Sequence, residues 1–389
     1  MPALLPFFVI LISGLIFSEI FKRLHLPYVT ALIIAGILIG PLFLNLIQVD
    51  ETVSFIGSIG VVFLMFITGS EVKWASFQKM GKDIIFLSFL NGAIPFITGF
   101  GIGWFFGYDF FTSIVLGTVF LSSSIAVIIP SLESNKLIDT KIGKTIISAT
   151  VFEDITSLIL LAFILQSFSQ KSPIPLPVYI PTIILLIIGL KIVIPKIEKM
   201  YQSRKKGKDL FESELRFVFV VLLAAVLLFE SIGMHAIIAG FIIGIILGNS
   251  IRDKIEEKIR TVSYGIFIPT FFLIIGMQTD LSVFLLERSV LLTYFIVIGL
   301  ISSKIVSGWI GGRLIKFSGK ESLLIGVSTV PQLSTTLATA FAALEFGILN
   351  QEIITSLVVL SIVTTLAVPL TIKLIISSRK FSIKSLKSP

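Results

Sequence analysis

The sequence contains no cysteine and little charge, and both absences narrow the functions that it can serve. Without cysteine, disulfides, thiolate metal sites and cysteine nucleophiles are excluded. Charged residues make up 14% of the 389 positions, against roughly 25% in soluble domains. The N-terminal stretch lacks the basic start of a secretory signal, so its first apolar segment is expected to be a retained helix.

Long apolar runs dominate the chain and indicate a bilayer environment. Apolar residues supply 55% of the sequence, and the mean hydropathy is +1.04. A transmembrane helix needs roughly 20 mostly apolar residues, and the pattern predicts an all-α membrane protein with thirteen spans. The predicted spans cover residues 4–21, 29–48, 54–70, 84–106, 112–131, 145–167, 178–198, 216–232, 235–249, 263–277, 289–312, 321–345 and 353–377.

The positive residues predict the orientation of these spans. Of the 31 lysines and arginines, all but three follow odd-numbered spans; Lys171 and Arg288 lie on the other side, and Lys304 falls inside a span. Since cytoplasmic loops carry an excess of Lys and Arg, we expect a multi-pass protein of the cell membrane with its N-terminus outside and its C-terminus in the cytoplasm. This topology also accounts for the net charge of +8, so no nucleic-acid partner is expected.

Two halves of the sequence repeat each other in order. The residues Ile33–Gly36 return as Ile237–Gly240, and Phe66–Gly69 corresponds to Leu273–Gly276. One such match between apolar helices would be weak, but ordered matches indicate a repeat. Seven helices separate equivalent spans, so the second copy is inverted, as in many secondary transporters. We predict a first repeat over 1–167, a linker helix and basic cytoplasmic loop over 168–215, a second repeat over 216–377 and a cytoplasmic tail over 378–389.

Corresponding spans of the two repeats are interrupted by polar residues. These residues are Ser122, Ser123 and Ser124 in the fifth span, and Pro331, Gln332, Ser334 and Thr335 in the twelfth. Proline breaks the hydrogen-bond ladder, and hydroxyls can satisfy the freed backbone groups. Paired interruptions predict crossed discontinuous helices with an ion site near the membrane midplane. The alternative is that the hydroxyls simply join helices together.

The sixth span holds two adjacent carboxylates, Glu153 and Asp154, and the eleventh holds the only deeply placed base, Lys304. Ionised groups at that depth are costly and typically mark an ion or proton path, although a purely structural charge pair is the alternative. A buried ammonium needs a counter-charge, and we expect Glu153 to supply it, leaving Asp154 free to bind sodium or potassium. Thr150 and Ser157 lie on the same helix face as Asp154 and are candidate ligands, with ordinary helix packing as the other interpretation.

At this point the sequence resembles the monovalent cation:proton antiporter-2 family, which contains Kef-type and Nap-type sodium or potassium/proton antiporters. The features that carry the resemblance are Leu26-Pro27, Gly36, Gly40-Pro41, the Gly60–Gly69 span, Phe271-Phe272 with Gly276, the serine-rich break, the acidic pair and Lys304 followed by Gly308. The resemblance implies a sodium/proton antiporter fold and a homodimer in which a six-helix core moves against a dimerisation domain. It also implies that Asp154 is the ion-binding aspartate and Lys304 the lysine of the neighbouring core helix.

The expected function is therefore secondary antiport by alternating access, in which Asp154 binds a proton or a monovalent cation (sodium, lithium or potassium) in competition. No cofactor beyond the transported ions is expected. Glu153 occupies a position that is Asp, Asn or Gln in different relatives, which leaves an electroneutral or Kef-like potassium/proton exchanger, or a potassium efflux channel, as alternatives. An enzyme is not expected, because an intramembrane aspartyl protease needs acids on facing helices.

Overall fold

The computed structural model describes residues 4–23, 27–72, 81–168, 175–203, 212–248 and 253–377, and these residues form helices joined by loops, with no strand among them. The first half contains α1 (Leu4–Arg23), α2 (Tyr28–Ile39), α3 (Glu51–Ser70), α4 (Lys82–Phe105), α5 (Phe110–Leu121), α6 (Ile125–Ser134), α7 (Lys141–Phe168) and α8 (Leu176–Ser203). The second half contains α9 (Ser213–Ser231), α10 (Ala236–Gly248), α11 (Asp253–Val262), α12 (Ile268–Met277), α13 (Glu287–Leu314), α14 (Gly319–Ser328), α15 (Ser334–Glu345) and α16 (Gln351–Ser377). A π-helical turn (Ser263–Phe267) joins α11 to α12, and a 3₁₀ turn (Leu281–Leu285) precedes α13.

These helices confirm an all-α membrane protein. Within the described ranges, nine helical segments are long and apolar enough to cross a bilayer, and α2 and α10 are shorter apolar helices. With α9 and the interrupted pair α14–α15 they make up the thirteen expected spans. Large apolar side chains face outward, as at Phe89 and Leu185. Such a surface is expected in contact with lipid rather than water.

Two spans differ from their predicted bounds for identifiable reasons. The second span was expected over 29–48, but α2 ends at Ile39 because Gly40 adopts an extended backbone (φ −67°, ψ 171°). Gly40 precedes Pro41, and a residue before proline avoids the helical region. The tenth span was expected to begin at residue 263, but helix already starts at Asp253, where charges at helical spacing form the amphipathic α11 that continues into α12.

Close glycine crossings join the inverted repeats. A Cβ atom on Gly36 would lie 2.1 Å from the carbonyl oxygen of Leu273, and one on Gly276 would lie 2.1 Å from that of Ile33. The helices α3 and α10 cross in the same manner, because a Cβ atom on Gly244 would lie 2.1 Å from the carbonyl oxygen of Phe66. Only glycine permits backbones to approach so closely. The segments that repeat in the sequence therefore form these crossings, in which α2 packs against α12 and α3 packs against α10.

Apart from α8, which contacts α10, the described helices form two packed groups. The core bundle consists of α4–α7 and α13–α16, and the flanking bundle consists of α1–α3 and α9–α12. The repeat and linker boundaries given above remain predictions, because residues 169–174, 204–211 and the whole tail 378–389 lie outside the described residues. The core bundle contains every interrupted span together with both central carboxylates.

Candidate ion-binding site

The two interrupted spans cross inside the core bundle, and each break bonds to the other. The Ser124 N–H donates to the Pro331 carbonyl at 2.7 Å, and Gln332 Nε2 donates to the Ser122 carbonyl at 2.7 Å. The hydroxyls of Ser122 and Thr336 lie 3.1 Å apart. Non-helical backbone at membrane depth must find its partners inside the protein. These reciprocal bonds satisfy that requirement and hold the crossing together.

Charged side chains face helix ends of the opposite polarity at this crossing. The helix α5 ends at Leu121, and its carbonyl accepts a hydrogen bond from Lys304 Nζ at 2.8 Å. The Ser123 N–H, just before the start of α6, donates to Asp154 Oδ1 at 3.2 Å. A helix C-terminus favours a cation and a helix N-terminus favours an anion. The break thus provides partial charges that suit both groups.

Lys304 and Glu153 form an ion pair that is completely shielded from solvent. Lys304 Nζ donates to Glu153 Oε2 at 2.8 Å, and both side chains are 0% exposed. The ammonium also donates to the Leu121 carbonyl and to Ser123 Oγ, at 2.8 and 3.0 Å. An ammonium has three hydrogens, so each of them has an acceptor. Lys304 is therefore fully coordinated.

Glu153 accepts two further hydrogen bonds. Asn91 Nδ2 donates to Glu153 Oε1 at 2.8 Å, and the Ser123 hydroxyl lies 2.8 Å from Oε2. The same hydroxyl lies 2.7 Å from the Thr329 carbonyl, so its one hydrogen is shared between two acceptors. Both oxygens of Glu153 consequently have partners, and the carboxylate is fixed in one position.

Asp154 is the next residue along α7, but its surroundings are different. It is 1% exposed, and its Oδ1 accepts only the long bond from Ser123 N–H. Its Oδ2 has no hydrogen-bond partner among the described residues. An unpaired carboxylate oxygen buried away from water is costly. Asp154 is therefore the carboxylate that gains most from binding a proton or a cation.

Three of the predicted ligand hydroxyls are also unpartnered and buried. Ser124 Oγ, Thr150 Oγ1 and Thr335 Oγ1 make no hydrogen bond within the part of the chain that the structure describes. Thr150 lies one helical turn before Asp154 on α7, and Thr335 lies in the first turn of α15, directly after the break. Carboxylate and hydroxyl oxygens are suitable ligands for hard cations. Asp154 Oδ2 and these three hydroxyl oxygens are therefore the candidate cation ligands among the described residues.

Other predicted residues have partners that fit a packing role. The Ser157 hydroxyl donates to the Thr118 carbonyl at 3.0 Å, and the Ser122 hydroxyl lies 3.0 Å from the Val119 carbonyl. Gln332 bridges the crossing through its side chain, which donates to the Ser122 carbonyl, and its main-chain N–H donates to Thr364 Oγ1 of α16 at 3.2 Å. Ser334 is the first residue of α15 and borders the cavity described below. The hydroxyls of Ser157 and Ser122 and the amide of Gln332 thus have partners within the protein.

Asn91 is the residue of this cluster that the sequence analysis missed. It is 0% exposed in α4, and it bonds to Glu153, to Thr329 and to Ser307. A lone amide in the middle of a predicted apolar span was the signal available, since polar side chains at that depth need partners. Its partners lie on three other elements, so the spacing of residues along the chain could not have identified them.

A cavity of about 670 Å³ lies between the core and flanking bundles. Tyr28 and Tyr264 line it from the flanking bundle, and Asn135, Ser334 and Lys373 line it from the core bundle. We call the end of the molecule where α1 finishes in Lys22 and Arg23 the basic end. The cavity opens at this end, where Tyr28 and Lys373 line it. Because Ser334 follows directly on the crossing, the cavity reaches from this end towards the broken helices.

At the opposite end, the two bundles contact each other directly. His235 Nε2, before α10, lies 3.0 Å from Glu345 Oε2 at the end of α15. Gln351 Nε2 donates to the Gln278 carbonyl, and Thr355 Oγ1 lies 3.3 Å from the carbonyl of Asp280. These contacts join α15 and α16 of the core bundle to loops of the flanking bundle. Here the structure is closed, whereas the basic end is open.

Two acid–hydroxyl contacts organise loops at that closed end. Tyr108 Oη donates to Glu352 Oε2 at 2.5 Å, and the other oxygen of Glu352 accepts from Ser289 at 2.7 Å. Burial, together with the Glu352 bond, raises the pKa of Tyr108 to about 12. Burial alone would raise the pKa of Asp109, but hydrogen bonds from Thr112 and Phe111 at the start of α5 hold it below its usual value. Tyr108 thus stays protonated and Asp109 ionised at neutral pH.

Comparison with known proteins agrees with this architecture. A model of the family "Sodium/hydrogen exchanger, transmembrane" matches residues 7–377. The chain is 30% identical over 382 residues to the probable Na⁺/H⁺ antiporter 3 of Methanocaldococcus jannaschii, covering 94% of this chain and 95% of that protein. It is 24% identical to the Na⁺/H⁺-K⁺ antiporter GerN of Bacillus cereus, with 97% of both chains covered.

Among solved structures, the sodium proton antiporter MjNhaP1 from Methanocaldococcus jannaschii at pH 8 superposes with a TM-score of 0.68. The sequence identity is 18%, and the alignment covers 97% of this chain and 96% of that one. At this identity the likeness concerns the fold. It confirms the antiporter fold with two inverted repeats and crossed discontinuous helices.

Proposed function

Because the chain belongs to the family of transmembrane sodium/hydrogen exchangers, we propose that it is a secondary antiporter that exchanges sodium for protons across its membrane. The observation that carries the detailed mechanism is the unequal coordination of two adjacent buried carboxylates. Glu153 has a partner at each oxygen, whereas Asp154 Oδ2 has none among the described residues. Asp154 is therefore the group that binds proton and cation in turn.

Competition between the two cargoes follows from this geometry. A proton on Asp154 removes the negative charge that a cation needs, and a bound cation removes the lone pair that a proton needs. Ser124, Thr150 and Thr335 supply further oxygens to a cation at Asp154 Oδ2. The Glu153–Lys304 pair is neutral in sum, so it leaves the charge at the site to Asp154.

The cavity and the closed end support alternating access. The open path at the basic end faces the cytoplasm if the positive-inside rule holds, so the described state is open inward. Exchange then requires the core bundle to move against the flanking bundle, so that the His235–Glu345 contact breaks and the cavity closes. We further propose, from the family resemblance, that two copies associate through the flanking bundle.

Potassium is the second cation to consider, as in the name of the B. cereus relative. The oxygen ligands around Asp154 suit either ion, and lithium would accompany sodium. A Kef-like potassium/proton exchanger would use the same carboxylate and the same competition.

The proposal is tested by proton flux in proteoliposomes that contain a pH-sensitive dye. Pulses of sodium or potassium should dissipate a preset pH gradient in a saturable manner in the wild-type protein. Asp154→Asn, which keeps the side-chain shape, should reduce exchange to the level of empty liposomes while the protein remains folded. Substantial exchange by Asp154→Asn would contradict the role of this carboxyl. Silence of the wild type with both cations would contradict antiport itself.

A further inference from the structure

The cavity between the two bundles carries a fixed positive charge that the proposed function does not use. Lys373 is the one charged side chain among the described residues that line this cavity. The other described residues in its wall are apolar or neutral and polar, and none of them is an acid. A cation that travels from the basic end towards Ser334 and the broken helices therefore passes a side chain of its own sign.

The position of Lys373 in α16 places it at the mouth of the cavity. Pro369 and Leu370, four and three residues earlier in the same helix, line the same cavity. Residues at this spacing share one face of a helix. Lys373 is exposed, whereas Ser334 at the other end of the cavity is 4% exposed. An ion thus meets the lysine before it reaches the candidate ligands.

No described acid neutralises this ammonium. Lys373 forms no ion pair with the described residues, whose salt bridges all lie elsewhere. Glu133 and Lys136 are neighbours in sequence of the lining residues Ser134 and Asn135, but neither lines the cavity, and their charges are opposite. The charge of Lys373 at the mouth is therefore uncompensated by the described wall.

We propose that Lys373 is a selectivity residue of the cavity, which raises the KM for monovalent cations that enter from the basic end and excludes divalent cations more strongly. The Coulomb energy is proportional to the product of the two charges. At about 10 Å through water, one positive charge lowers the local concentration of a monovalent cation about twofold and that of a divalent cation about fourfold. Carboxylate and hydroxyl oxygens, such as those proposed around Asp154, also suit Ca²⁺, so the charge at the mouth adds a discrimination by valence. The inference rests on the proposed antiport, because it concerns entry of the exchanged cation.

The test measures the apparent KM for sodium and the inhibition constant for Ca²⁺ in membrane vesicles of both orientations, from cells that lack other sodium/proton exchangers. One alkaline pH keeps competition by protons small, and low ionic strength leaves the charge unscreened. From the side of the basic end, Lys373→Met should lower the sodium KM about twofold and Lys373→Glu about fourfold. The Ca²⁺ constant should fall by the square of these factors, about fourfold and about sixteenfold.

Two matched variants serve as controls. Lys373→Arg keeps the charge and should match the wild type in both constants. Lys82→Met removes an exposed lysine at the start of α4, outside the cavity wall, and should change neither constant. Raising the ionic strength to about 1 M with an organic salt shortens the Debye length to about 3 Å. Under that condition the differences among the Lys373 variants should vanish.

If Lys373 only anchors the end of α16 at the membrane surface, the sodium KM stays constant across the series from both sides, or the maximal rate falls at unchanged KM. Either result would overturn the inference. Equal fold-changes for sodium and Ca²⁺, or no inhibition by Ca²⁺ even in Lys373→Glu, would overturn it as well. If Lys373→Glu is not recovered folded, the comparison of Lys373→Arg with Lys373→Met decides alone. Wild-type exchange and its loss in Asp154→Asn are recorded alongside, so that failure of the antiport proposal is distinguished from failure of this one.

Discussion

Replacing Lys304 by methionine should severely destabilise the protein, because it leaves Glu153 charged and without its cation. Methionine has an unbranched apolar side chain of similar length and can fill irregular space in a core, so the main change is electrostatic. The variant loses the 2.8 Å contact with Glu153 and the bonds to Leu121 and Ser123. It also leaves the C-terminal end of α5 without its positive partner.

The magnitude follows from the complete burial of both side chains. Removing one member of a buried ion pair costs about 3–5 kcal/mol, because the remaining charge is desolvated without compensation. An exposed lysine such as Lys82 should contribute much less, within about 0.5 kcal/mol. Lys82→Met is therefore the matched control for loss of a lysine.

The assay is thermal unfolding of the purified protein in detergent at one fixed scan rate, since membrane proteins often unfold irreversibly and the apparent Tm then depends on the rate. We expect a clearly lower Tm for Lys304→Met and an unchanged one for Lys82→Met. Adding Glu153→Gln to Lys304→Met should recover much of the loss, because a buried pair is often replaceable by neutral groups. A single variant as stable as wild type, or a double variant no better than the single, would refute the electrostatic reasoning.

The remaining predictions concern the packing and the movement of the two bundles. Gly276→Ala should lower the apparent Tm, since its Cβ would lie 2.1 Å from the Ile33 carbonyl oxygen. Overpacking of this kind typically costs about 1–3 kcal/mol of stability. Gly101→Ala, which has open space around the added Cβ, should leave the Tm unchanged. A short bifunctional thiol reagent linking His235→Cys to Glu345→Cys should stop exchange, and each single variant treated alike should remain active. The natural chain has no cysteine to interfere, and continued exchange by the linked protein would show that this contact need not open.

The sequence predicted the helical architecture well because membrane helices are specified locally. Apolar runs and the distribution of lysine and arginine depend on one segment at a time. The predicted C-terminal end of the second span was wrong. The apolar run continues past Gly40, but the helix ends at Ile39, because a residue that precedes proline avoids the helical conformation. The extension of the tenth span to Asp253 was missed for the opposite reason, since a charged segment continues an apolar helix there.

Parts of the site were less accessible to prediction, because they depend on which helices meet. The Glu153–Lys304 contact could be expected from elimination, since few buried groups could neutralise each other. The hydroxyl of Ser157 could not be distinguished from that of Thr150 by spacing, yet Ser157 bonds to the Thr118 carbonyl and Thr150 has no partner within the described residues. Asn91 lies 62 residues from Glu153 in the chain, and no local pattern connects them.

The contrast between Glu153 and Asp154 suggests a reason for two adjacent acids in a site where a single carboxylate is proposed to bind the cation. Neighbours on a helix project about 100° apart, so one can face α13 and its lysine while the other faces the crossing of the broken spans. Lys304 needs a counter-charge, and Glu153, whose other oxygen accepts from Asn91, provides it. In the proposed exchange, Asp154 can then change partners in every cycle without disturbing the contact between Glu153 and Lys304. Separating the structural charge from the exchangeable one allows a fully buried site to be both stable and reversible.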